Sequence, residues 1–415
     1  MKRYLLTWVI LAASMIASAQ SQLFKRPDLV KPFRVEIQKA KIDSIFAKLK
    51  NARLPKQMPP ASGNGNWQSG ADYSVVESLR KYWLEDYSWN KAQESLNRFP
   101  QFKANVDGQT IHFYYVKGEG KNPTPLLLSH GWPGSVVEFL DVIEPLTNPS
   151  KFGGKSEDAF TVIIPSLPGY GFSSLPEKPI NAITTAALYN KLMTEIIGYD
   201  KYLAQGGDLG AFVVTRLAYD FPQHVKAINL NMFIWGPANG SLKAPLSQAE
   251  IKWVKDGEIA GQRDFNYGRI QMTEPMVLSA ALNDSPLGTA TWILQKFYLW
   301  SDNNGDIFSA INRDKAITDI MLYLLSEDGI SGSFWFYRGM ITELKDKYHP
   351  GYVKVPTSYM SFPKEFVNTP LPESVVRRQY NLYRFTEMAK GGHFGAMEQP
   401  EMYVKELREA FKAYH

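Results

Sequence analysis

Apolar residues gather in short runs along the middle of the chain, at Leu126-Leu127-Leu128, Phe160 to Ile164, Lys201 to Gln205 and Ala227 to Leu230. Between them, over Val136 to Leu146, Thr184 to Ile197 and Ala211 to Phe221, apolar positions recur at helical spacing. Short apolar runs suit strands buried on both faces, and their alternation with helices predicts a mostly parallel α/β sheet. Upstream the pattern differs. Val35 to Leu54 and Ser74 to Asn97 read as helices joined by the Pro/Gly/Asn-rich loop 59–66, and Val106-Asp107-Gly108-Gln109 reads as a hairpin turn into a strand at Ile111 to Val116. From about Gly236 to Gly351 the pattern is mainly helical, with segments near Gln248, Thr289 and Ile317. Strand character returns at Val355 to Ser361 and Leu382 to Met388, before a last helix from about Met402 to Ala413. The expected organisation is a leader at 1–19, an N-terminal extension at 20–122 wrapping the core, core segments at 123–235 and 352–415, and a helical lid at 236–351. No internal repeat or low-complexity tract interrupts it.

The leader rests on Lys2 and Arg3, the apolar run Leu5 to Ile16, and the small-x-small site Ala17-Ser18-Ala19. Such a run falls short of the roughly 20 residues that span a bilayer, so it predicts export with cleavage after Ala19, with an uncleaved anchor as the alternative. Of the 415 residues, 44% are apolar and 13% aromatic, enough to fill a sizeable core and too apolar for a disordered chain. The net charge of +5 has no basic block behind it and gives no reason to expect a nucleic-acid partner. With no cysteine, disulfides, thiol catalysis and cysteine metal sites are excluded.

The chemistry starts at Gly206-Gly207-Asp208-Leu209-Gly210, a sharp strand-to-helix turn flanked by small residues, where hydrolases usually carry serine. No Gly-x-Ser-x-Gly occurs elsewhere, which disfavours a serine esterase. An aspartate here can displace a leaving group at an sp3 carbon and form an ester; otherwise it is an N-capping turn residue. Hydrolysis of the ester needs a base. Of the six histidines, only His393 lies in a loop between the last predicted strand and the final helix, within Gly391-Gly392-His393-Phe394. Glu365, at the end of the preceding strand, is placed to orient it better than Glu343, Asp346, Glu373 or Glu387. The backbone N–H groups of Leu209 and of Trp132, in His130-Gly131-Trp132-Pro133-Gly134-Ser135, would form an oxyanion hole.

That last segment, together with Pro165-Ser166-Leu167-Pro168-Gly169-Tyr170-Gly171-Phe172-Ser173, Ala281-Leu282-Asn283-Asp284-Ser285-Pro286-Leu287-Gly288 and Leu96-Asn97-Arg98-Phe99-Pro100-Gln101-Phe102, resembles the microsomal-type epoxide hydrolases from about Pro32 to the C-terminus. The resemblance implies the α/β-hydrolase fold and an Asp/His/acid triad matched by Asp208, His393 and Glu365. It also implies two proton-donating tyrosines, matched by Tyr267 and Tyr337. The expected partners are a small lipophilic epoxide and water, with neither a metal nor a cofactor, and Trp235, Phe334, Trp335 and Phe336 suggest an apolar pocket. Three features depart from the family pattern: Leu209 where tryptophan is usual, Glu274 where a basic residue is common, and the leader in place of an anchor. A haloalkane dehalogenase is the rival enzyme, but it commonly needs an indole after the nucleophile, which Leu209 is not; a ligand-binding protein on a decayed scaffold is the non-enzymatic rival.

Overall fold

The computed structural model describes residues 23–60, 66–233, 245–343, 350–366 and 371–415, without the side chains of 259–263. The leader and Trp235 lie outside them. Nine strands form one sheet in the order β1-β2-β3-β5-β4-β6-β7-β8-β9. They are β1 Val30–Phe33, β2 Gln101–Val106, β3 Gln109–Val116, β4 Thr124–Ser129, β5 Phe160–Pro165, β6 Tyr202–Gly206, β7 Val225–Leu230, β8 Val353–Ser361 and β9 Tyr380–Glu387. The strands from β5 across to β9 run parallel, while β1, β2 and β3 extend the sheet antiparallel from β5. Every residue of β5 and β6 is buried, which explains why those strands read as apolar runs. In the β2–β3 hairpin Asp107 and Gly108 both adopt positive φ, the two-residue turn that Asp-Gly favours, and Val106 pairs with Gln109.

The N-terminal extension differs from its sequence reading. Its first helix is Lys39–Asn51, because Val35 and Ile37 instead give their N–H groups to Asn97 Oδ1 and Gln93 Oε1 and run extended. The helix predicted over Ser74 to Asn97 is two, Tyr73–Glu85 and Trp89–Leu96, with Ser88 capping the second. Strand β1, at the sheet edge where Pro32 is tolerated, had no clear alternation to reveal it. The segment predicted as helical between Val136 and Leu146 opens as a 3-10 turn before the helix Leu140–Thr147.

Between β7 and β8 the described elements are all helical, from Gln248–Asp264 through Asn266–Thr273, Pro275–Asp284, Pro286–Trp300, Ile307–Ala310 and Arg313–Leu325 to Ser331–Thr342. This insertion packs on the carboxyl ends of the parallel strands through buried polar contacts. Tyr323 Oη donates to the Gly134 carbonyl at 2.7 Å and Tyr170 Oη to that of Ser333 at 3.2 Å. No helix among the described residues is long and apolar enough to cross a membrane.

Candidate active site

Asp208 opens the helix Asp208–Asp220 directly after β6, with φ of 48°. A left-handed conformation costs an ordinary L-residue about 1–2 kcal/mol, less for a short polar side chain. The turn stays this tight only because its neighbours lack side chains. A Cβ on Gly210 would lie 2.0 Å from the Ser129 carbonyl oxygen, and one on Gly206 would lie 2.3 Å from the Gly210 oxygen. The turn thus lifts the carboxylate off the sheet.

That carboxylate faces two kinds of group. Its Oδ1 accepts the Trp132 N–H at 2.7 Å. Gly131 lets the loop come this close, since a Cβ there would meet Asp208 Oδ1 at 2.3 Å and the Leu209 nitrogen at 2.6 Å. The Leu209 nitrogen thus lies close to the loop whose Trp132 N–H meets Asp208. His130 steadies the same loop: its Nε2 accepts the Leu167 N–H at 3.2 Å, and burial, its main influence, pulls its pKa down to about 4, so the ring is neutral. On the other side Asp208 Oδ2 lies 3.4 Å from His393 Nε2, while His393 Nδ1 lies 2.8 Å from Glu365 Oε2. The sheet builds this line. Beyond β8 and β9 the pairing continues as a parallel bridge between Lys364 and Gly392, which sets Glu365 against His393. Of the rival acids, Glu343 accepts the Asn181 N–H and Glu373 pairs with Arg377, while Asp346 lies outside the described residues.

Burial opposes a charge on His393, but Glu365 and Asp208 outweigh it and raise its pKa well above the ordinary value. Tyr267 and Tyr337 lie near enough to Asp208 for its charge to act on both. The Tyr267 ring stacks on Trp132, centroids 4.9 Å apart, and Tyr337 meets both rings edge-on at 6.0 Å. Burial first, then nearby negative charge including that of Asp208, raises both phenols well above 10, so both are neutral donors. Asp208, His393, Glu365, Tyr267 and Tyr337 therefore converge on one place. Phe334 and Phe336 are buried, Trp335 is half-buried, and Glu274 is exposed. Among the described residues no cluster of His, Cys, Asp or Glu could hold a metal.

Two neighbours escaped the sequence reading. Glu398 accepts the N–H groups of Gly392, Phe394 and Asp302, tying the His393 loop to the end of the helix Pro286–Trp300. Burial lifts its pKa to about 7 against those bonds. Lys296 lies buried in that helix; its one signal was a cation at helical spacing between Trp292 and Trp300.

Residues 30–139 match the family described as the epoxide hydrolase N terminus, and residues 124–243 match the α/β-hydrolase fold. The chain is 33% identical over 405 residues to epoxide hydrolase 1 of Oryctolagus cuniculus, covering 91% of this chain and 88% of that protein. The chain belongs to the epoxide hydrolases. The crystal structure of juvenile hormone epoxide hydrolase from the silkworm Bombyx mori superposes with a TM-score of 0.81 at 30% identity, covering 92% of this chain and 94% of that one. The Aspergillus niger epoxide hydrolase superposes with a TM-score of 0.79 at 28% identity, covering 93% and 96%. This epoxide hydrolase thus has an α/β-hydrolase sheet carrying a helical insertion, with an N-terminal extension added to its antiparallel edge.

Proposed function

We propose that this hydrolase opens a small lipophilic epoxide to a vicinal diol through an ester on Asp208, and that water and the epoxide are its only reactants. The observation that carries this reading is the line Glu365–His393–Asp208 facing a pair of neutral phenols. Asp208 attacks a ring carbon, the C–O bond breaks towards oxygen, and Tyr267 or Tyr337 supplies the proton that oxygen needs.

Ester formation removes the Asp208 charge, one of the two influences that raise the His393 pKa. Burial then acts against a smaller opposition, and the imidazole moves towards its neutral form just when a base is required. His393, steered by Glu365, takes a proton from water as the water attacks the Asp208 carbonyl carbon. The Trp132 and Leu209 N–H groups hold the oxyanion. Collapse expels the diol as its alkoxide, which takes the proton of the newly formed Asp208 carboxylic acid, and the proton on His393 returns the tyrosinate to the phenol.

Two rival readings gain no support. A halide would find a leucine side chain at 209 rather than an indole, and a decayed scaffold would be expected to lack one of these groups. Residues 1–19 fit a cleaved leader, so we place the mature chain outside the cytoplasm; an intact mass starting at Gln20 is expected. We take 20–122, 123–235, 236–351 and 352–415 as its functional divisions.

The test is diol formation by the purified protein from a panel of aryl, terpene and fatty-acid epoxides; halide release from haloalkanes with no diol would reverse the assignment. Tyr267→Phe and Tyr337→Phe should each slow ring opening by roughly ten- to a hundredfold, and the double variant by about a thousandfold or more. Unchanged rates in the double variant would remove the tyrosines from the mechanism.

A further inference from the structure

Lys296 is almost wholly buried in the helix Pro286–Trp300, with 2% of its surface exposed. Its ammonium forms no hydrogen bond and no ion pair within 4 Å among the described residues. Its nearest groups are aromatic: Nζ lies 4.3 Å from the centroid of the Tyr267 ring and 5.4 Å from that of Trp300. A buried cation without a counter-ion at contact distance weakens the fold, and methionine would fill the same space without that cost. Its placement over one of the two rings proposed to give up a proton calls for another explanation.

We infer that Lys296 is a positioning residue for ring opening, its ammonium stabilising the negative charge that develops on Tyr267 as the phenol donates to the epoxide oxygen. The inference rests on the ester mechanism above. No covalent change occurs at the lysine. Negative charge grows on the phenol oxygen and spreads into the ring, and a cation held over that ring lowers the energy of the charged form more than that of the neutral one. The tyrosine needs this help, because burial and Asp208 both oppose its ionisation. Tyr337, with no such cation against its ring among the described residues, is the weaker donor of the two on this account.

The groups facing the amine are Asp264, at the end of the helix Gln248–Asp264, which favours its charge, and the ring of Tyr267, whose phenol stays neutral. Beyond the Trp300 ring lie His393 and Glu365. The helices Lys39–Asn51, Tyr73–Glu85, Pro275–Asp284 and Arg313–Leu325 pack on the same helix and send no acid into ion-pair contact with it. Burial, opposed by Asp264, pulls the amine down to about 8. The charge is therefore present at neutral pH and lost as the pH rises through about 8.

The experiment measures ester formation by rapid quench and intact mass in three proteins: His393→Gln alone, His393→Gln with Lys296→Met, and His393→Gln with Lys296→Arg. Removing His393 leaves ester formation as the only step and takes the imidazole titration out of the profile. Lys296→Met should slow adduct formation about tenfold, within the range of a desolvated cation–π contact. It should also abolish the fall in rate above about pH 8, while leaving the melting temperature unchanged or higher. Lys296→Arg, which keeps its charge throughout, should restore most of the rate and keep it above pH 8. Adduct formation by Lys296→Met within twofold of the parent, with the same pH profile, overturns the inference and leaves the ester mechanism standing. If Lys296→Met does not fold, an Arg variant with the same alkaline fall as the parent overturns it equally. No adduct in His393→Gln itself overturns the mechanism, and the inference with it.

Discussion

Asp208→Asn should give a folded protein that makes almost no diol. Asparagine matches aspartate in shape, and it too tolerates the left-handed conformation that position 208 requires. Its side-chain oxygen can still accept the Trp132 N–H, so the turn and the loop opposite lose no contact. What disappears is the anionic nucleophile, together with one of the two charges that raise the His393 pKa. Removing a covalent nucleophile costs about 10⁴-fold or more in turnover. Initial rates of diol formation beside a thermal melt check both halves, and a soluble, well-folded variant retaining a tenth of the activity would mean that water attacks the epoxide directly.

His393→Gln should separate the two halves of the reaction. Glutamine can donate a hydrogen bond towards Asp208, but it cannot take a proton from water. Ring opening needs Asp208 and the two phenols, none of which the substitution replaces. The ester should therefore form and persist, raising the mass of the protein by that of one epoxide, since ring opening has no leaving group. Diol release beyond the first equivalent should fall by about 10⁴-fold, the range for loss of a catalytic base acting in a unit. The adduct should be found on the peptide that carries Asp208.

Much of this site was legible in the sequence because tight turns leave compositional traces. The glycines around Asp208 and Gly131 are there because neighbouring atoms occupy the space of a side chain, the Ser129 carbonyl at Gly210, the Gly210 carbonyl at Gly206 and Asp208 itself at Gly131, so both segments stood out before any fold was known. His393 was legible from its place after the last strand. Glu365 was harder to pick out from the neighbouring acids, and the Lys364–Gly392 bridge that brings it to His393 is a tertiary feature with no local signature. Glu398 and Lys296 went unread for the same reason: a glutamate becomes a clamp, or a lysine a buried cation, only through what packs around it. In the N-terminal extension, local periodicity suggested one long helix where Ser88 caps a second, and hid the extended run whose N–H groups are claimed by Asn97 and Gln93.

The central claim is that an Asp208 oxygen ends up in the product. A single turnover in H₂¹⁸O, with enzyme in excess over epoxide, reads this directly. If water attacks the Asp208 carbonyl carbon, the first diol carries no heavy oxygen, and the label appears in the protein on the peptide containing Asp208. Label in the diol from the first turnover, with none in that peptide, would contradict the account.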